Sequence, residues 1–152
     1  MADLRDLYQE TILDHSRRPK NFGELEGATH RAEGYNPLCG DQVEVALQLD
    51  GDRVSDIKFR GKGCAISTAS ASLMTEALKG KTVDEALALF RKVHDAVTGQ
   101  PTDEVHDDSG LGKLAVLEGV KQYPLRVKCA TLAWHALRNA LTGHDHDVAA
   151  TE

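Results

Sequence analysis

With 152 residues, 28% of them charged and 41% apolar, the chain has the composition of a folded globular protein and not of a disordered tail. A formal charge of -6 argues against an affinity built on neutralising phosphates, so nucleic acid is not an expected partner. No apolar run approaches the roughly 20 residues that a membrane-spanning helix needs, and the opening Met1-Ala2-Asp3-Leu4-Arg5 lacks the basic start and greasy middle of an export signal, so a cytoplasmic address is the expectation.

No repeat, low-complexity tract or Pro/Ser-rich linker divides the chain; residues 1–143 are expected to form one domain, and 144–152 a disordered tail. Leu4, Leu7, Tyr8 and Ile12 recur at helical spacing over residues 3–15 and predict a short helix that stops before Pro19. From Phe22 to Cys39 glycine and polar residues dominate, which reads as a long loop. Val43, Val45, Leu47 and Leu49 then alternate with mostly polar neighbours, Asp50-Gly51 supplies a turn, and Ile57 and Phe59 alternate on the return, predicting a hairpin with a bulge near the out-of-phase Val54.

Gly61-Lys62-Gly63 ends that pattern, and Ala65 to Lys79 reads as a helix stopped by Gly80. Thr82 with Glu85 has the capping-box spacing ahead of a helix whose Val83, Ala86, Leu87, Phe90 and Val93 face a core. An acidic loop over 100–108 and a short helix carrying Leu111, Leu114, Leu117 and Val120 follow. Pro124 opens a last helix with Leu125, Cys129, Leu132, Ala136, Leu137 and Ala140 on its buried stripe. Early strands and late helices predict an α+β fold, a small antiparallel sheet with helices packed on one face.

The three cysteines, Cys39, Cys64 and Cys129, and one acid, Asp41, stand at element boundaries. An antiparallel return brings the start of the first hairpin strand beside the end of the second, so Cys39, Asp41 and Cys64 would converge, and the last helix need only dock its N-terminal end for Cys129 to join them. Three thiolates and a carboxylate suit tetrahedral zinc, with Zn–S near 2.3 Å. Lys62, Arg126 and Lys128 adjoin these positions and would offset the excess negative charge. Cysteine is also a common buried core residue, and no paired-cysteine spacing of the zinc-finger kind is present, so these residues alone leave both readings open.

Three blocks, Asn36-Pro37-Leu38-Cys39-Gly40-Asp41, Gly61-Lys62-Gly63-Cys64-Ala65-Ile66-Ser67 and Arg126-Val127-Lys128-Cys129-Ala130, resemble the signatures of the IscU/SufU iron-sulfur cluster assembly proteins. Leu13-Asp14-His15 and Pro19-Lys20-Asn21-Phe22-Gly23 extend the resemblance over residues 4–142. It implies that Cys39, Asp41, Cys64 and Cys129 bind metal and that a pyridoxal-phosphate cysteine desulfurase is the partner. Lys128 occupies the place where the Isc-type branch has a histidine, the Leu-Pro-Pro-Val-Lys stretch of that branch is absent, and a segment from Gly110 to Tyr123 is extra. These departures are similar to the SufU type. They imply a zinc-dependent sulfur acceptor with Cys39 as the accepting thiol, Arg126 orienting the partner or the sulfur, and a downstream Suf-type scaffold; the alternative is a scaffold carrying an iron-sulfur cluster.

Two other classes compete: a purely structural zinc module, and a cysteine hydrolase using His94 or His135 as base. His15, with Arg17, Arg18 and Lys20, reads as a solvated basic helix end in preference to a basic patch that meets the partner. His144 and His146 sit in the acidic tail, Trp134 and Leu137 read as core or partner-facing anchors, and Ser67 and Thr68 as helix caps.

Overall fold

The computed structural model describes residues 10–37, 40–98, 114, 116–117, 120 and 123–142, with 148–150 as backbone. In chain order these form α1 (Glu10–Arg17), β1 (His30–Asn36), β2 (Asp41–Asp50), β3 (Arg53–Lys62), α2 (Ala65–Leu78), α3 (Val83–Thr98), α4 (Pro124–Thr142) and β4 (Val148–Ala150). The sheet order is β3-β2-β1-β4, with β1, β2 and β3 antiparallel and β4 parallel to β1.

The hairpin pairs Val45 with Phe59 and Leu47 with Ile57, and the register slips between Gln48 and Leu49, whose partners Asp56 and Val54 leave Ser55 as the extra residue of a bulge. Val43, Val45, Leu47, Val54, Ile57 and Phe59 point inward and pack with the buried residues of α2 and α4. The other sheet face carries charge, where Glu44 is held between Arg31 at 3.5 Å and Arg60 at 3.0 Å. This is the α+β arrangement that the alternation and the late helices predict.

Three expectations about the strands and the last helix are corrected. The segment read as a loop contains β1, all seven residues of which pair with β2. Its inward positions are Ala32, Gly34 and Asn36, too small or too polar to signal a buried face. Gly34 has a packing reason: a Cβ there would stand 3.0 Å from Leu132 Cδ1 and 3.1 Å from Val43 Cγ1, so the missing side chain lets α4 settle closely on the sheet. Second, the tail contains β4, with Val148, Ala149 and Ala150 opposite Glu33, Gly34 and Tyr35. Third, Leu125 is 62% exposed rather than part of the buried stripe of α4.

The helix ends follow the residue chemistry. Thr82 and Glu85 form the reciprocal capping box, with Glu85 N–H donating to Thr82 Oγ1 at 3.1 Å and Thr82 N–H to Glu85 Oε1 at 2.9 Å. That bond holds the Glu85 carboxyl below its ordinary range. In α3 the buried residues are Ala86, Leu89, Phe90, Val93 and Val97, with Leu87 only partly covered. Leu114, Leu117 and Val120 are buried as expected, in 3₁₀ rather than α conformation, whereas Leu111 and the 100–108 segment lie outside the described residues.

His15 is not a solvated helix end. It is 4% exposed, and its Nδ1 lies 2.7 Å from Ser72 Oγ, which also accepts the Lys20 N–H at 2.7 Å. These bonds fix α1 and the following turn on α2. Among the described residues no helix is long and apolar enough to cross a membrane.

Candidate metal centre

Asp41 is the first residue of β2 and shares the inward phase of Val43, Val45 and Leu47, which puts its carboxylate on the helix side of the sheet, 3% exposed. Cys64 follows β3 with only Gly63 between, and the antiparallel return pairs Gln42 with Lys62, so β2 begins where β3 ends. Cys64 is the N-cap of α2: its backbone is extended (φ -72°, ψ 171°), and its Sγ accepts the Ser67 N–H at 3.5 Å. The sulfur takes the place that serine or threonine oxygen usually fills. The expectation that Ser67 or Thr68 caps this helix is therefore corrected, since Ser67 supplies the donor.

Cys129 is fully buried in the second turn of α4. Its position depends on how α4 meets α2 and the sheet. Ser70 O–H of α2 donates to the Ala130 carbonyl at 2.6 Å, and Trp134 N–H donates to Ser70 Oγ at 3.1 Å. Trp134, 1% exposed, is thus a core anchor with its polar edge satisfied. Leu132, one turn beyond Cys129, occupies the space that Gly34 leaves.

These placements bring one donor atom each of Asp41, Cys64 and Cys129 within 4.8 Å of one another. Cys64 Sγ stands 3.8 Å from Asp41 Oδ2, and Cys64 N–H donates to Asp41 Oδ1 at 3.2 Å. A tetrahedral zinc site with Zn–S near 2.3 Å and Zn–O near 2.0–2.2 Å has donor-to-donor edges of about 3.5–3.8 Å. The residues present therefore fit a zinc-sized cation after small side-chain shifts. Cys39 lies outside the described residues. Arg126 is half-buried in the first turn of α4, its N–H bonded to the Tyr123 carbonyl at 2.7 Å.

The model of the NifU-like N terminal domain matches residues 7–131. The chain belongs to this family. Among proteins similar to this NifU-like domain, the zinc-dependent sulfurtransferase SufU of Bacillus subtilis (strain 168) is 43% identical over 140 residues, 92% of each chain. The iron-sulfur cluster assembly scaffold protein IscU of Streptococcus pyogenes serotype M1 is 42% identical over 141 residues, 93% of this chain and 86% of its own. In three dimensions the domain superposes with a TM-score of 0.82 on the crystal structure of FiSufU from Fervidobacterium islandicum AW-1, described as a scaffold protein for the SUF system; identity is 41%, covering 89% of this chain and 96% of that one.

Within this NifU-like domain the two described thiols differ. Cys64 is brought down from 9.0 to about 6, first because the Cys129 thiol donates to it and further by the Ser67 and Ile66 amides, against burial and the Asp41 charge. Cys129 is pushed up by the same pairing with Cys64, by burial and by Asp41. Cys64 therefore ionises first, and Cys129 loses its proton readily only when a cation bound at its sulfur offsets the charge already present.

Two supporting positions escape a reading of donor types alone. Gly63 must lack a side chain, because a Cβ there would lie 3.0 Å from Ser67 Oγ and 3.2 Å from Asp41 Oδ1. Asn36, fully buried, faces Asp41 across the β1–β2 pair, and its carbonyl accepts the Gly40 N–H at 2.8 Å. Both belong to the quoted signature blocks, but nothing in their residue type marks the role. The histidines weighed for a hydrolase are engaged elsewhere: His94 and His135 rings pair at 5.7 Å, both against Phe90, whose ring also receives the Arg138 guanidinium at 5.4 Å.

Proposed function

We propose that this NifU-like domain is a zinc-dependent sulfur acceptor in iron-sulfur cluster assembly, with Cys39, Asp41, Cys64 and Cys129 as ligands and Cys39 as the residue that takes sulfur. The observation that carries the reading is the meeting of Asp41, Cys64 and Cys129 donor atoms within 4.8 Å. Cys39 is two residues before Asp41, and backbone lengths keep their Cα atoms within about 7.6 Å, inside the reach of a fourth ligand. Bound zinc would keep the thiols deprotonated.

The sulfur donor is a cysteine persulfide on a pyridoxal-phosphate cysteine desulfurase of the cytoplasm. The Cys39 thiolate attacks the donor's outer sulfur, a new S–S bond forms on Cys39, the donor's S–S bond breaks, and the departing donor thiolate takes its proton from water. No net oxidation is required. Gly40, at φ +74°, is well suited to the turn that carries this thiol. Arg126, in the first turn of the helix that holds Cys129, supplies a fixed cation for the anionic persulfide or for the partner. A downstream Suf-type scaffold would receive the sulfur next.

The test is desulfurase with cysteine and this chain, followed by intact mass. A one-sulfur adduct on the wild type and none on Cys39→Ala is expected; equal adducts on both would eliminate Cys39 as the acceptor. The scaffold reading is favoured by the resemblance to the Streptococcus pyogenes IscU. A brown, iron-loaded protein after purification would support it, and a colourless zinc protein supports sulfur transfer.

A further inference from the structure

We propose that Cys64 and Cys129 form a peroxide-sensing disulfide pair whose closure abolishes metal binding. The proposal deepens the metal-site reading above and rests on it for that consequence, while the disulfide itself needs only the two side chains. Their sulfur atoms lie within 4.8 Å, each on the N-terminal part of a helix, and the two helices are tied together just beyond the pair by the Ser70 to Ala130 and Trp134 to Ser70 bonds. To reach the roughly 2.05 Å of an S–S bond the two sulfurs have at most about 2.8 Å to close. Besides their mutual contact, Cys129 Sγ lies 3.6 Å from the Leu125 carbonyl and Cys64 Sγ 3.8 Å from Asp41 Oδ2.

The two cysteines differ in access, which divides the roles. Cys64 is half-buried and Cys129 fully buried, so an oxidant from solution meets Cys64 first and Cys129 lies behind it as a resolving thiol. In the first step the Cys64 sulfur takes the outer oxygen of a hydroperoxide, the O–O bond breaks, and an alcohol, or water from hydrogen peroxide, leaves. In the second the Cys129 sulfur attacks the Cys64 sulfenic acid, the S–O bond breaks, and the oxygen departs as water, its second proton coming from the Cys129 thiol or, where that thiol is already ionised, from solvent. Two thiols are oxidised and one peroxide is reduced. Of the three donors brought together, only Asp41 then remains able to bind a cation, so the metal is released.

The test uses the chain as purified, with its metal. Hydrogen peroxide is added, remaining thiols are alkylated, and disulfide-linked peptides are mapped without reduction while released metal is read with a chromophoric chelator. The expected result is a Cys64–Cys129 linked peptide that accumulates in step with released metal, an alkylated Cys39, and recovery of both thiols with dithiothreitol. The variant Cys39→Ser, which keeps only this pair, should lose both remaining thiols to the same bridge. A bridge that includes Cys39, Cys64 advancing to sulfinic acid beside a free Cys129, or no bridge at all would overturn the proposal. Because no desulfurase is present, failure here leaves sulfur acceptance standing, and failure of the Cys39→Ala comparison leaves the disulfide standing.

Discussion

At Gly63 the site depends on an atom that is absent. Alanine there would press on Ser67 Oγ and Asp41 Oδ1, at 3.0 and 3.2 Å, and move the carboxylate relative to Cys64. We expect Gly63→Ala to weaken zinc binding about tenfold, the lower range for a residue that supports a ligand without touching the metal, with little loss of fold. Competition with a chelator measures it, and an unchanged affinity would show that Asp41 is not held by this contact. Asp41, Cys64 and Cys129 were legible as candidate donors because thiol and carboxylate declare their chemistry, whereas the role of Gly63 exists only in space. His15 shows the same limit: flanked by basic residues it looks solvated, and only the folded chain reveals Ser72 beside it.

Between α3 and α4, one contact makes the pairing of two elements depend on pH. His135 is pressed down from 6.5 to about 4, mainly by burial and then by the Arg138 and His94 charges. Below pH 6.5 the unfolded chain takes up this proton and the folded one does not, so stability falls as pH drops from 6.5 toward 4 and no further from this group beneath that. The melting temperature of the wild type should fall more steeply across this window than that of His135→Phe, which keeps an aromatic ring against Phe90. Parallel curves would show that the histidine is not the cause. Element by element, the hairpin, its bulge, α2 and the capping box were legible because period and turn chemistry are local. β1 was not, since Ala32, Gly34 and Asn36 carry no apolar alternation, and its strand identity comes from pairing with β2.

Across the whole molecule, donors far apart in sequence meet for two different reasons. Asp41 and Cys64 adjoin because any tight antiparallel hairpin brings its two outer ends together, which sequence reasoning reaches unaided. Cys129 arrives by tertiary packing, with Leu132 seated in the space at Gly34 and Ser70 bridging α2 to α4. Its placement was legible only through the resemblance of the three signature blocks. β4, parallel to β1 and following α4, had no sequence signal beyond three small residues.

If one zinc ion is shared by Cys39, Asp41, Cys64 and Cys129, zinc K-edge X-ray absorption of the purified chain will read its donors one by one. Three sulfur neighbours near 2.3 Å and one oxygen near 2.0–2.2 Å are expected, with one sulfur fewer in Cys129→Ser. A spectrum with fewer than three sulfurs in the wild type, or one that Cys129→Ser leaves unchanged, would contradict it.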